Sequence, residues 1–150
     1  MTTSKINLQS LANSRFGVWL ALAISKHTPP WLGYRIADLG AAIAAARRHT
    51  PLVRALRANQ WVISGGSLSE KELRRAVYEV LHQHTHALYD FYHNLDRPQE
   101  VLRRVDFDPS FAGLFEQVKS GQHPALFLTP HTSNFDLAGR ALALRGLNFQ

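Results

Sequence analysis

His131 and Asp136 are the residues of this chain whose types and spacing best suit chemistry. Between them lie Thr132, Ser133, Asn134 and Phe135. A histidine followed by a carboxylate at this distance, where a strand gives way to a helix, forms a paired general base. An unperturbed imidazole has a pKa of about 6.5, so at neutral pH it takes a proton from an alcohol and returns one to a leaving group. A carboxylate bonded to one ring nitrogen fixes the orientation of the ring. It also stabilises the imidazolium that forms, as in a serine-protease triad without the serine. General-base work of this kind contributes about 10²–10⁴-fold in rate. The first turn of a helix favours the ionised form of Asp136, and Ser133 or Asn134 can cap that helix. The same spacing also suits a loop histidine followed by an ordinary first-turn acid.

Two elements must position the pair. The run Ala125-Leu126-Phe127-Leu128-Thr129-Pro130 is short, apolar and closed by proline, the pattern of a strand buried on both faces. Beyond Asp136, the spacing of Leu137, Ala138, Ala141, Leu142 and Leu144 predicts a helix, and Gly146 stands where its stop is expected. His131 is therefore expected at the carboxyl end of a strand, the edge of an open α/β sheet where ligands bind.

The rest of the chain is read as helical. Phe16 to Ile24 is apolar on all sides and is broken at Thr28-Pro29-Pro30. Trp31 to Ala46 is apolar except for Tyr34, Arg35 and Asp38, and ends at Arg47-Arg48-His49. Neither run reaches the roughly 18–20 uncharged residues that cross a bilayer, and no small-residue cleavage site marks a signal peptide. The two runs predict a helical hairpin, either buried or lying among lipid headgroups with Trp19, Trp31 and Tyr34 at the boundary and Arg47 and Arg48 against anionic lipid, with a true spanning helix the least favoured reading. The small residues from Gly40 to Ala46 also permit close helix packing. A helix is predicted over Leu52 to Ile63. A longer one starts at a capping box formed by Ser69 and Glu72 and runs to about Asn94, with Leu73, Val77, Val80, Leu81, Leu88 and Phe91 on its core side. Val101 to Val105 reads as a short strand or turn, and Ser110 to Ser120 as a helix. The organisation expected is a single, incomplete domain over 1–150: an apolar hairpin over 1–50, a helical portion over 51–120, and strand, His-x4-Asp and helix over 121–150.

Charge narrows the partners. Seventeen Lys and Arg against eleven Asp and Glu give a net charge of +6, dispersed in doublets such as Arg74-Arg75 and Arg103-Arg104. No RNA-binding aromatic motif or zinc-finger spacing occurs, so an anionic membrane surface fits better than nucleic acid. The absence of cysteine excludes disulfides and thiolate metal sites.

The long helix carries His82, His84, His86 and His93. His82 and His86 share a face, and Asp90 is the local candidate for a third ligand. No Glu completes the helical zinc-protease pattern, so no metal is expected. An aromatic–histidine stripe with Tyr78, Tyr89 and Tyr92 accounts for the spacing.

The stretch from Ala125 through His131, Asn134, Phe135 and Asp136 to Gly146 resembles the active-site segment of bacterial lipid acyltransferases, the lipid A late acyltransferases and phosphatidylinositol mannoside acyltransferases. Their signature is His, four residues, then Asp or Glu, with Asn three and an aromatic residue four after the His. Arg54, Arg57 and Asn59 resemble a basic stretch of the same family. Ser69 to Arg75, followed by Tyr89, Phe91 and Tyr92, resembles its next helix. By themselves Arg57 and Asn59 read as surface and capping residues ahead of substrate contacts. The resemblance covers about residues 15 to 148.

It implies an α/β, glycerolipid-acyltransferase-like open sheet behind a helical, membrane-associating N-terminal portion. It further implies transfer of a fatty acyl group from acyl-CoA or acyl-carrier protein, as co-substrate, to a hydroxyl of a glycolipid or lysolipid at the cytoplasmic face of the bacterial membrane. His131 is then the base, Asp136 its orienting carboxylate, and Thr132, Ser133, Asn134 and Phe135 substrate-binding residues, with no bound cofactor. Family members continue into further strands and basic residues, so Leu147 to Gln150 is expected to open another strand and the chain to be the front of a longer protein. Two other classes compete: a non-catalytic membrane-binding or scaffolding module, and a basic helical nucleic-acid-binding protein whose affinity falls steeply with salt.

Overall fold

A computed structural model describes residues 14–121, 124–126, 128 and 134–147. Among these, seven helices follow in order: α1 (Arg15–His27), α2 (Pro30–Ala46), α3 (Pro51–Ile63), α4 (Glu70–Asn94), α5 (Pro98–Arg104), α6 (Pro109–Lys119) and α7 (Phe135–Leu144). Local chemistry fixes most of their ends. Pro30, Pro51, Pro98 and Pro109 stand in the first helical turn, where the missing N–H costs nothing and φ is already helical. Ser14, Thr50 and Asp108 cap α1, α3 and α6 through their side-chain oxygens. At α4 the expected box forms: the Ser69 N–H donates to Glu72 at 2.8 Å and the Glu72 N–H donates back to the Ser69 hydroxyl at 3.4 Å.

The expected α/β open sheet is overturned, because no strand occurs among the described residues. Of the apolar run before His131, Ala125, Leu126 and Leu128 belong to no strand, and Leu126 and Leu128 are 84% and 86% exposed. Phe127, Thr129 and Pro130 lie outside the described residues. A strand buried on both faces needs neighbours to take its N–H and C=O groups, and no described residue supplies one. The short strand considered for Val101–Val105 is also replaced, by α5. Pro98 starts that helix, Glu100 lies in its first turn, and Arg103 and Arg104 lie in its last, the arrangement that complements a helix dipole.

The chain divides into two compact units at Tyr92/His93. In the first, Ala41 of α2, Val53 of α3, and Val77 and Leu81 of α4 form a small core, edged by Ala44, Ala45 and Leu56. The small residues of α2 thus allow close packing, as their run suggests, while Gly40 has open space before it. The tightest approach is at Gly33: a Cβ there would lie 2.0 Å from the Tyr89 ring, so only glycine lets α2 rest on that ring.

In the second unit, α5 packs on α7, and Phe115, Leu142 and Leu147 are buried together, with Phe107, Phe111 and Val118 against them. Helix α7 ends as the sequence predicts. Gly146 takes φ 99°, the Leu147 N–H donates to the Leu142 carbonyl at 3.1 Å, and the Gly146 N–H donates to Ala143 at 3.0 Å. This is a Schellman closure, with the two leucines in one cluster.

Candidate functional site

The residues around the His-x4-Asp pattern are placed by the start of α7. Asp136 occupies its first turn and is exposed. Asn134 is the N-cap, with φ 64° and ψ 15°, the one left-handed non-glycine backbone among the described residues. Asparagine tolerates this conformation better than other L-residues, which gives a local reason for its type here. Its side chain makes no capping bond; its carbonyl accepts from the Leu137 and Ala138 N–H groups instead. Phe135 is half-buried. His131, Thr132 and Ser133 lie outside the described residues, so of the expected catalytic and substrate-binding set, structure is described for Asp136, Asn134 and Phe135.

A cleft of about 270 Å³ lies in the same unit, lined by Phe107, Phe111, Phe115, Glu116, Lys119 and Arg145. Arg145 stacks over the Phe107 ring at 4.3 Å and donates to the Val105 carbonyl at 3.1 Å. At about 1.5 Å per residue along a helix, this end of α7 is about 13 Å from Asp136. The cleft and the carboxylate are therefore at opposite ends of α7.

A second constellation lies between α2 and α4. The Nε2 atoms of His86 and His82 lie 2.7 Å and 3.0 Å from one oxygen of Asp38. The hydrogen bond with His86 holds the Asp38 carboxyl below the usual carboxylate range. Partial burial opposes this, and the charges of His86 and His82 add to it. His82 Nδ1 is buried without a partner among the described residues, so its contact with Asp38 is made through Nε2 alone.

The rings of Tyr78, His82 and His86 run in series, with centroids 5.7 Å and 4.1 Å apart. Tyr34 of α2 stacks on His86 at 4.9 Å and meets Tyr89 edge-on at 5.0 Å. Its hydroxyl donates to Asp90 at 2.6 Å. The expected aromatic–histidine stripe thus exists through Tyr78 and Tyr89, but it is completed from α2.

Helix geometry explains the site. At 100° per residue, Leu73, Val77 and Leu81 line one narrow face of α4, while His82, His86 and Tyr89 lie roughly 120–180° round from Val77. The covered stripe of α4 therefore rotates along its length, meeting alanines of α2 at one end and Asp38 and Tyr34 at the other.

Asp90, the expected third partner of the histidines, is engaged by Tyr34 instead, and the carboxylate that reaches them is Asp38. The signal was present in the sequence. Tyr34 and Asp38 are polar residues one turn apart in a helix that is otherwise apolar but for Arg35, matching the one-turn spacing of His82 and His86. Arg57 pairs with Glu70, joining α3 to the start of α4, and Asn59 is exposed within α3, so both lie at the surface but neither is a cap, the caps of α3 being Thr50 and Ser64. Comparison with family models, with curated proteins and with solved structures finds no match to the chain.

Proposed function

We propose that this chain belongs to a membrane-associated O-acyltransferase that moves a fatty acyl group from a thioester, acyl-CoA or acyl-carrier protein, to a hydroxyl of a glycolipid or lysolipid at the cytoplasmic face of a bacterial membrane. The observation that carries the reading is the His-Thr-Ser-Asn-Phe-Asp sequence, with Asp136 solvent-accessible in the first turn of α7. His131 takes the hydroxyl proton as that oxygen attacks the thioester carbonyl. The tetrahedral oxyanion then collapses, the C–S bond breaks, and the thiolate takes the proton back from the imidazolium. Asp136 orients the ring and stabilises its charged form. The oxyanion calls for N–H donors, and the Asp136 N–H, in the first turn of α7 at the positive end of its dipole, is of the right kind.

Association with lipid is supported by the exposed faces of α1 and α2. Phe16, Trp19, Leu20, Trp31, Leu39 and Ile43 are all more than 40% exposed. Exposed Arg15, Arg35, Arg47 and Arg48 accompany them. No described helix is long and apolar enough to cross a membrane, and the pattern is that of helices lying in the interface.

The test is thioester consumption by the full-length protein in mixed micelles of lysolipid or glycolipid. His131→Ala should lower kcat/KM by about 10²–10⁴-fold with the helical spectrum retained, and Asp136→Asn should lower it less. Unchanged turnover in folded His131→Ala would remove the catalytic assignment. The same apolar faces favour a second reading, a non-catalytic membrane-binding module. It predicts no thioester consumption and vesicle binding indifferent to His131→Ala.

A further inference from the structure

We infer that Asp38, His82 and His86 form a binding site for a zinc-like divalent cation that staples α2 to α4, independently of the acyl-transfer reading. One ligand atom from each residue lies within 4.8 Å of the other two. His82 and His86 sit one turn apart on a 25-residue helix, so their Nε2 atoms project from one face, the spacing by which helical histidine pairs hold zinc. Asp38 reaches the same point from the facing helix.

Two imidazoles and one carboxylate suit a borderline cation such as Zn²⁺. Mg²⁺ and Ca²⁺ ask for oxygen ligands in larger number. Three protein ligands leave a fourth tetrahedral position for water, and side-chain exposures of 26%, 26% and 36% give an ion and that water access. Ligands about 2.0 Å from a tetrahedral zinc stand about 3.3 Å apart. The present Nε2–Oδ1 separations of 2.7 Å and 3.0 Å are those of a site closed on its own hydrogen bonds, and these two must lengthen by about 0.3–0.6 Å to admit the ion.

The metal takes the Nε2 lone pairs, so each ring must carry its proton on Nδ1. For His82 that hydrogen meets no acceptor, which makes His82 the weaker of the two imidazole ligands.

The full chain, free of any affinity tag, is titrated with Zn²⁺ against a chromophoric chelator. One equivalent is expected to bind and to raise Tm. Asp38→Asn and His86→Ala should each weaken binding by at least about 10-fold, a loss in the range seen when a metal-site partner is removed. His82→Ala should weaken it less, and His84→Ala, at an exposed position of the same helix, should leave it unchanged. Absence of binding, or binding that all three site variants retain, overturns the proposal. If a variant fails to fold, wild-type protein decides: Zn²⁺ shifting the His82 and His86 ring resonances supports the site, and shifts confined to other histidines overturn it.

Discussion

In the second unit, Phe107, Phe111, Phe115, Leu142 and Leu147 turn towards one another, and Lys119 and Arg145 edge the cleft that the aromatic rings line. In the first, Trp19, Trp31 and Leu39 are 62%, 70% and 62% exposed, while the partners that meet between α2 and α4 include Tyr34, Asp38, His82 and His86. On helix α2, Tyr34 and Asp38 thus meet α4 beside the buried Gly33 and Ala41, while Trp31, Leu39 and Ile43 stay exposed. The second unit is organised to close a core against water. The first holds itself together partly by hydrogen bonds and rings, and leaves apolar surface for something other than water to cover.

The largest expected effect tests the ordinary half of that contrast. Phe115 is 6% exposed among two leucines and two further aromatic rings, and Phe115→Ala should cost about 3–5 kcal/mol in denaturant unfolding. A cost near zero would mean that the second unit does not rest on this cluster.

Next comes the close approach of α2 to α4. Gly33→Ala puts a methyl group where the Tyr89 ring stands, and overpacking of this kind costs about 1–3 kcal/mol. Tyr89→Val opens the space, so the double variant should regain much of the loss. Strict additivity in the cycle would show that α2 does not seat on that ring.

These two positions also show how much was legible beforehand. Helix ends were readable because proline, capping serine, threonine and aspartate act within a few residues. The Ser69–Glu72 box and the Gly146 stop fall where their residues predict. The sheet is not legible in this way, because an apolar run such as 125–130 specifies a strand only if other strands exist to pair with it, a non-local condition that local pattern cannot test. Asp38 escaped because its partners are 44 and 48 positions away, and an isolated acid in an alanine-rich helix looks like a solvated one. Of the His-x4-Asp constellation, the helix and the position of Asp136 were legible from periodicity. The place of His131 depended on the strand.

The polar contact between α2 and α4 should also appear in the pH dependence of stability. The native Asp38 carboxyl is held below its ordinary value, so the native state binds its proton less readily than the unfolded chain does. The stabilisation is therefore complete above the unfolded pKa of about 3.9 and is lost as pH falls through the lower folded value. With the carboxyl 36% exposed, screening keeps the contribution under about 1 kcal/mol. Wild type should exceed Asp38→Asn by that margin at neutral pH, and the gap should close on acidification below about pH 4. A gap that widens in acid would contradict the assignment of Asp38 as the shared, ionised acceptor.

The smallest effect on stability falls where the contrast is sharpest. Trp19→Ser and Trp31→Ser remove exposed side chains with few native contacts to lose, and unfolding free energy should move by no more than about 0.5 kcal/mol. Binding to anionic vesicles should respond quite differently. An indole ring removes about 150–250 Å² of surface from water when fully covered. At about 25 cal/mol per Å², even half of that is worth about 2 kcal/mol, so each substitution should weaken partition by an order of magnitude or more. Arg47→Gln with Arg48→Gln should weaken it further and only on anionic lipid, by about 1 kcal/mol per charge. If both tryptophan variants bind vesicles as wild type does, the exposed apolar face of α1 and α2 is shaped for a protein partner instead.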